Sequence, residues 1–195
     1  RKLKKITIGS KLGNIQIIKN KYKQDYQMIT ISVNSKIFLI KVPLVGYFQI
    51  KNLLMAILAV VQSGVNKNKI LKNLKKIKPV TGRLECVAKI KNNSRIIVDF
   101  AHTPDALEKS LTSLKEHFKK DILIVFGCGG DRDKKKRVKM GKVAQKYCRK
   151  IFITDDNPRF ENPKKIRKEI LKGCNGKASD ISDRKKAIKL AIKEL

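Results

Sequence analysis

The first 45 residues show partial alternation of apolar and polar positions in four short runs: "KITIGS", "GNIQIIK", "YQMITISV" and "KIFLIKV". Alternation of period two, interrupted by Gly, Asn and Asp, predicts short strands. The pattern then changes. "GYFQIKNLLMAILAVVQS", at 46–63, is apolar over most of its length and predicts a buried helix ended by Gly64. A polar helix is expected from about Asn68 to Lys76. Pro79 and Gly82 in "KPVTGR" break the periodicity and place a domain boundary, with 1–80 on one side and 81–195 on the other.

Beyond Arg83, strands and helices alternate. "RIIVDF" reads as a strand, and "HTPDALEKSLTSLKEHF" as a helix capped by Thr103 with Pro104 in its first turn. Leu107, Leu111, Leu114 and Phe118 fall on one helical face. "ILIVF" is a continuous apolar strand, as expected when both faces of a sheet are covered. A helix from about Lys136 to Arg149, the strand "IFIT", a helix opened by Asn162 and Pro163, and a last helix capped by Asp183 complete the series. This order predicts an α/β fold: a mostly parallel, Rossmann-like sheet with flanking helices, preceded by a unit of short strands plus helices. Ligands of such sheets bind outside the carboxyl ends of the strands. Asp99 with His102, "GCGGDRDKKKR" after Phe126, and "DDNPR" after Thr154 follow three consecutive strands, so they are expected to share one edge.

Composition adjusts this picture only in part. Lys and Arg total 47 against 16 acidic residues, a net charge of +31. These residues are scattered over nearly every segment, Trp is absent, and no basic–aromatic alternation stands ready to stack bases. No specific nucleic-acid partner is expected, although the positive field favours anionic substrates. Cys86, Cys128, Cys148 and Cys174 lack C-x-x-C spacing and read as reduced thiols of a cytoplasmic protein. The longest apolar run, "LLMAILAVV", is too short to span a bilayer, so no membrane insertion is expected. The first residue is Arg, which suits a chain that starts partway through a longer protein.

The candidate chemistry lies in the loops. Only nine of the 47 basic residues are Arg, yet Arg132 and Arg159 both occupy polar strand-end loops. A guanidinium matches a carboxylate or phosphate with two parallel donors. In "DDNPR", Pro158 stiffens the backbone, Asn157 offers both donor and acceptor, and Asp155 or Asp156 suits an ammonium. Together these fit a zwitterionic amino acid. Asp99 and His102 read equally as an acid–base pair or as a helix N-terminus with a solvated histidine. Arg132 interrupts G-x-G-x-x-G in "GCGGDRD", so a dinucleotide fingerprint is not complete. "GCNGKAS" has Ala178 where a phosphate loop needs Ser or Thr, and reads as a connecting loop.

"GYFQIKNLLMAI", "TGRLE", "VDFAHTPDALEKSL", "VFGCGGDRDKKKR…MG", "TDDNPR" and "DRKKAI" together resemble the Mur ligases, in family order from Gly46 to the end. "DNPR" is the feature of the branch that adds meso-diaminopimelate, as opposed to lysine, to UDP-N-acetylmuramoyl-L-alanyl-D-glutamate. The resemblance implies a cytoplasmic, ATP-dependent ligase of peptidoglycan precursor synthesis working through an acyl phosphate. It implies ATP contacts by Asn52 and Arg83, a ribose contact by Asp99 and a position near the phosphates for His102. Arg132, Asp156, Asn157, Pro158 and Arg159 would hold meso-diaminopimelate, with Arg159 on its distal carboxylate. Residues 1–80 would be the tail of the central ATP-binding domain, and 81–195 an incomplete C-terminal amino-acid-binding domain. Gln49 departs from the family's usual Asn. The family's phosphate loop and Mg2+-binding lysine would precede Arg1, and a Gly- and Glu-bearing pocket segment would follow Leu195, so the chain alone is expected not to turn over. Two alternatives stay open: a non-catalytic basic α/β module for anionic ligands or RNA, and another ligase of the Mur and folylpolyglutamate type. Oligomeric state is not legible in the sequence.

Overall fold

The computed structural model describes residues 5–9, 13–33 and 35–195. It divides into two compact units, one reaching Glu85 together with Glu116–Phe118, the other made of Cys86–Lys115 and Lys119–Leu195.

In the first unit, β1 (Ile8–Gly9) pairs in parallel with β2 (Ile15–Tyr22), and β2, β3 (Gln27–Val33) and β4 (Lys36–Val42) form an antiparallel meander. The pleat puts Ile15 and Ile17, Ile29 and Ile31, and Ile40 and Val42 on one buried face. Ile50 and Leu54 of α1 (Tyr47–Gln62) complete that core. A bulge between Ile17 and Lys19 shifts the register of β2, and Ile18 is left exposed. Gln27 is fully buried but satisfied, because its Nε2 donates to the carbonyls of Leu44 (2.8 Å) and Gly46 (3.2 Å). That pair of bonds fixes the turn into α1. The expected polar helix is α2 (Lys67–Asn73), which tightens into a 3₁₀ turn over Leu74–Lys76.

The second unit holds β5 (Glu85–Ile90) and β6 (Ser94–Val98), which pair with each other, and a separate sheet of β7 (Leu123–Phe126), β8 (Lys150–Ile153) and β9 (Ala178–Asp180). The second sheet is parallel throughout, with β8 in the centre. Alternate residues serve its two faces. Ile124, Phe126, Ile151 and Ile153 meet α3 (Pro104–Phe118), α4 (Lys135–Tyr147) and α5 (Pro163–Leu171) through Leu107, Leu111, Met140, Ala144, Ile166 and Ile170. Leu123, Val125 and Phe152 meet Ala187 and Ala191 of α6 (Arg184–Lys193) on the other. The three expected caps are formed. Thr103 Oγ1 accepts from the amide of Ala106 (3.2 Å), Asn162 Oδ1 from that of Lys164 (2.9 Å), and Asp183 Oδ1 from that of Lys186 (2.9 Å).

Helices α4 and α5 approach so closely that backbone meets backbone. A Cβ on Gly141 would lie 2.2 Å from the Ile170 carbonyl oxygen. All four cysteines are free thiols. Burial pushes the Cys128 thiol up to about 11 and Cys148 up to about 12, which keeps both protonated at neutral pH. None of the described helices is long and apolar enough to cross a membrane.

Two sequence expectations are corrected here. The three polar clusters do not all leave one sheet, because β6 pairs with β5 and not with β7. The alternating "ECVAKI" of β5 supplies the partner that captures it. "GCNGKAS" is also more than a loop, since Ala178 and Ser179 enter β9 and pair with Ile151 and Phe152.

Candidate amino-acid-binding site

The loops after β7 and β8 leave the carboxyl ends of neighbouring parallel strands and pack on each other. The Gly130 amide donates to the Asn157 carbonyl at 2.9 Å. A Cβ at Gly130 would lie 1.8 Å from the Pro158 carbonyl oxygen, so only glycine admits this contact. Arg159 turns back across the junction, and its Nη1 donates to the Gly130 carbonyl at 2.7 Å. Both loops hold an L-residue in the left-handed region, Asp131 at φ 50° and Arg159 at φ 48°. Such residues persist only where surroundings over-determine them. Here the Asp131 Oδ2 accepts from the Phe160 amide (3.1 Å), and the Asn157 Oδ1 from the Arg159 amide (3.3 Å).

Beneath the loops lies a charged cluster. Arg137 of α4 is fully buried. Its Nη1 and Nη2 donate to Oε2 and Oε1 of Glu161 at 3.0 and 2.8 Å, and Nη1 also donates to Glu169 Oε2 at 2.8 Å. Glu161 Oε1 accepts in turn from the Asp131 amide at 2.6 Å. These hydrogen bonds, Arg137's first, hold the Glu161 carboxyl down at about 2 from an ordinary 4.5. A depressed carboxyl stabilises the fold fully above its ordinary value, and the contribution is lost as pH falls toward the folded value. Urea unfolding measured from pH 6 to pH 2.5 is therefore expected to lose stability between about 4.5 and 2, and Glu161→Gln should flatten that limb. Equal acid slopes for the two proteins would exclude Glu161 as a source.

The expected site residues distribute as follows. Asp156, Asn157, Pro158 and Arg159 sit together on the loop after β8, with Asp156, Asn157 and Arg159 exposed and Pro158 half-buried. Arg132 lies on the facing loop, exposed, without a hydrogen bond or ion pair to any described residue. Asp155 is corrected as an ammonium acceptor, because its carboxylate pairs with Arg167 of α5, which also binds Asp180 of β9. Asp99 Oδ1 accepts from the Ala101 amide (3.0 Å) and the Ser110 hydroxyl (2.9 Å). The His102 ring nitrogen Nδ1 is 3.2 Å from the Phe100 carbonyl oxygen. Although β6 stands outside the parallel sheet, Lys136 at the start of α4 donates to the His102 carbonyl at 3.0 Å. A helix thus supplies the link expected of a strand edge.

In the first unit, Asn52 is an exposed residue of α1. One turn earlier, the buried Gln49 donates from Nε2 to the Arg83 carbonyl at 2.8 Å. The residue that departs from the expected Asn therefore ties the exposed Arg83 to this helix. Among the described residues, no three His, Cys, Asp or Glu side chains gather as a metal-ligand set. Sequence reasoning missed Arg137, Glu161, Glu169 and Arg167. For Arg137 and Arg167 the available signal was the one applied to Arg132 and Arg159, arginine where the chain otherwise uses lysine; the two glutamates carry none.

Residues 82–195 match the family model described as "Mur ligase, glutamate ligase domain". The chain is 44% identical over 99% of its length to the UDP-N-acetylmuramoyl-L-alanyl-D-glutamate–2,6-diaminopimelate ligase of Rickettsia typhi, of which it covers 39%. A solved structure of a ligase with that name superimposes with a TM-score of 0.68 at 30% identity, covering 97% of this chain and 40% of the other. The folylpolyglutamate synthase of Mycobacterium tuberculosis, solved with ADP, aligns with a TM-score of 0.75 over 95% of this chain and 41% of its own. At 16% identity, that likeness speaks for the fold alone. The chain spans 36–40% of the length of the curated relatives. With the family model matching more than half of its residues, the chain belongs to the Mur ligases and carries their glutamate ligase domain over residues 82–195.

Proposed function

We propose that this chain is part of an ATP-dependent ligase that adds meso-diaminopimelate to UDP-N-acetylmuramoyl-L-alanyl-D-glutamate, and that the loops after β7 and β8 hold the incoming amino acid. The observation that carries this reading is Arg159, pinned on the Gly130 carbonyl through Nη1, with the rest of its guanidinium at the exposed junction of the two loops. A planar fork fixed on the Gly130 carbonyl suits a carboxylate, and it distinguishes diaminopimelate from lysine, which has none at that end. Arg132, on the facing loop, contributes a second guanidinium, and Asp156 and Asn157 receive the ammonium. The relatives named above catalyse ligation with 2,6-diaminopimelate, in keeping with this assignment.

ATP activates the glutamate side-chain carboxylate as an acyl phosphate. The amino group of meso-diaminopimelate attacks the acyl carbon, phosphate leaves, and the amine loses its proton as the amide forms. What these loops supply is orientation, since two polyatomic charges held at fixed positions leave one amine free to approach. Asp99 and His102 in the second unit, and Asn52 and Arg83 in the first, are assigned to ATP. The magnesium ligands are assigned to the part of the relatives that this chain does not span. The positive charge of +31 favours capture of the anionic nucleotide substrates.

Calorimetric titration with meso-diaminopimelate and with lysine tests the assignment. Arg159→Ala is expected to weaken meso-diaminopimelate by about 2–3 kcal/mol, the cost of a charge-assisted pair, with little effect on lysine. Equal affinity of the unaltered protein for the two amino acids would overturn it.

A further inference from the structure

Arg159 carries the proposed specificity, and the carbonyl on which it rests is held by more than its own loop, where the Asn157 carbonyl accepts from Gly130 and the Phe160 amide donates to Asp131. Gly130 is held from below. Its neighbour Asp131 donates its amide to Glu161 Oε1 at 2.6 Å, and its neighbour Gly129 offers a carbonyl to Arg137 Nη2 at 3.4 Å. Glu161 also closes the turn that contains Arg159, because its amide donates to the Pro158 carbonyl at 3.0 Å. One carboxylate therefore joins both loops to one guanidinium. That guanidinium is fully buried. Its orientation serves the carboxylates of Glu161 and Glu169 so completely that Nε finds no acceptor among the described residues. A buried donor left unsatisfied is a cost that marks a constrained arrangement. The left-handed conformations of Asp131 and Arg159 flank the same junction and need an external restraint.

We propose that Arg137 and Glu161 are positioning residues: their ion pair sets the relative placement of the two loops and so the point at which Arg159 meets a distal carboxylate. Selectivity for an amino acid charged at both ends then depends on a pair that the amino acid never contacts. The inference rests on the site reading given above. It also predicts that the pair acts on recognition of one end of the ligand, while a residue that merely supported the fold would weaken all ligands alike.

The test uses this chain with Glu161→Gln, which keeps shape and one acceptor but removes the charge, and with Arg137→Lys as the conservative partner. Amide hydrogen exchange is read first. Exchange at Gly130, Asp131 and Phe160 should quicken at least tenfold in Glu161→Gln, with the core amides of β8 unchanged, and less in Arg137→Lys. Calorimetry follows, with meso-diaminopimelate and lysine. The ratio of their affinities should fall about tenfold in Glu161→Gln. Unchanged exchange at these three amides overturns the clamp, as does a looser junction with an intact affinity ratio. If Arg159→Ala itself leaves meso-diaminopimelate binding unaltered, the site reading fails, and quickened exchange would still locate the loop restraint at Glu161.

Discussion

Gly130→Ala is expected to abolish the loop junction and with it meso-diaminopimelate binding, by at least a hundredfold. The added Cβ would stand 1.8 Å from the Pro158 carbonyl oxygen and 2.6 Å from its carbon. Both are backbone atoms, so no flexible side chain can move aside. The loops must separate, which breaks the Gly130–Asn157 hydrogen bond and the Arg159–Gly130 hydrogen bond together. At about 1 kcal/mol for each bond, with about 1–3 kcal/mol of steric strain, the junction loses about 3–5 kcal/mol. Surface loops open locally at such energies without global unfolding. Circular dichroism should therefore stay near that of the unaltered protein while calorimetry shows no binding. Retained affinity in a folded variant would mean that ligand recognition does not need this contact.

Arg137→Met is expected to destabilise the second unit by about 3 kcal/mol, read as a lower urea midpoint at pH 7. The substitution leaves Glu161 and Glu169 facing each other without their shared cation. Removing one member of a buried pair costs about 3–5 kcal/mol, and the lower end applies because both glutamates reach some solvent, with 13% and 20% exposed side chains. Charge, not packing, should dominate the loss. Adding Glu161→Gln and Glu169→Gln to Arg137→Met should then recover most of the stability, since neutral groups of similar shape need no cation. If the triple variant is no more stable than the single one, the loss comes from packing around the arginine stem.

The helices and parallel strands were legible because each rests on local signals. Thr103, Asn162 and Asp183 stand where a cap belongs, and Leu107 and Leu111 mark the buried face of α3. The strand β5 escaped because "ECVAKI" alternates yet remains largely exposed, and a weak hydrophobic face gives a weak signal. The loop residues 156–159 were legible as chemistry, but their support was not. Arg137 sits in "DKKKRVK", where its neighbours make it look like one more surface charge. Its burial follows from Glu161 and Glu169, which are 24 and 32 positions away. Asp155 misled for the same reason, since its partner Arg167 lies one helix further on. Pairings across the fold have no periodicity to betray them.

The arrangement around Glu161 separates two duties within seven consecutive positions. Asp156, Asn157 and Arg159 have exposed side chains, while Asp155 and Glu161 at either side are anchored to arginines of α5 and α4. The exposed side chains can therefore be rewritten during evolution while the two acid–arginine moorings of the loop stay in place. A lineage that changes which amino acid it accepts would need to alter only those interior letters, and the bracketing acids would be inherited intact.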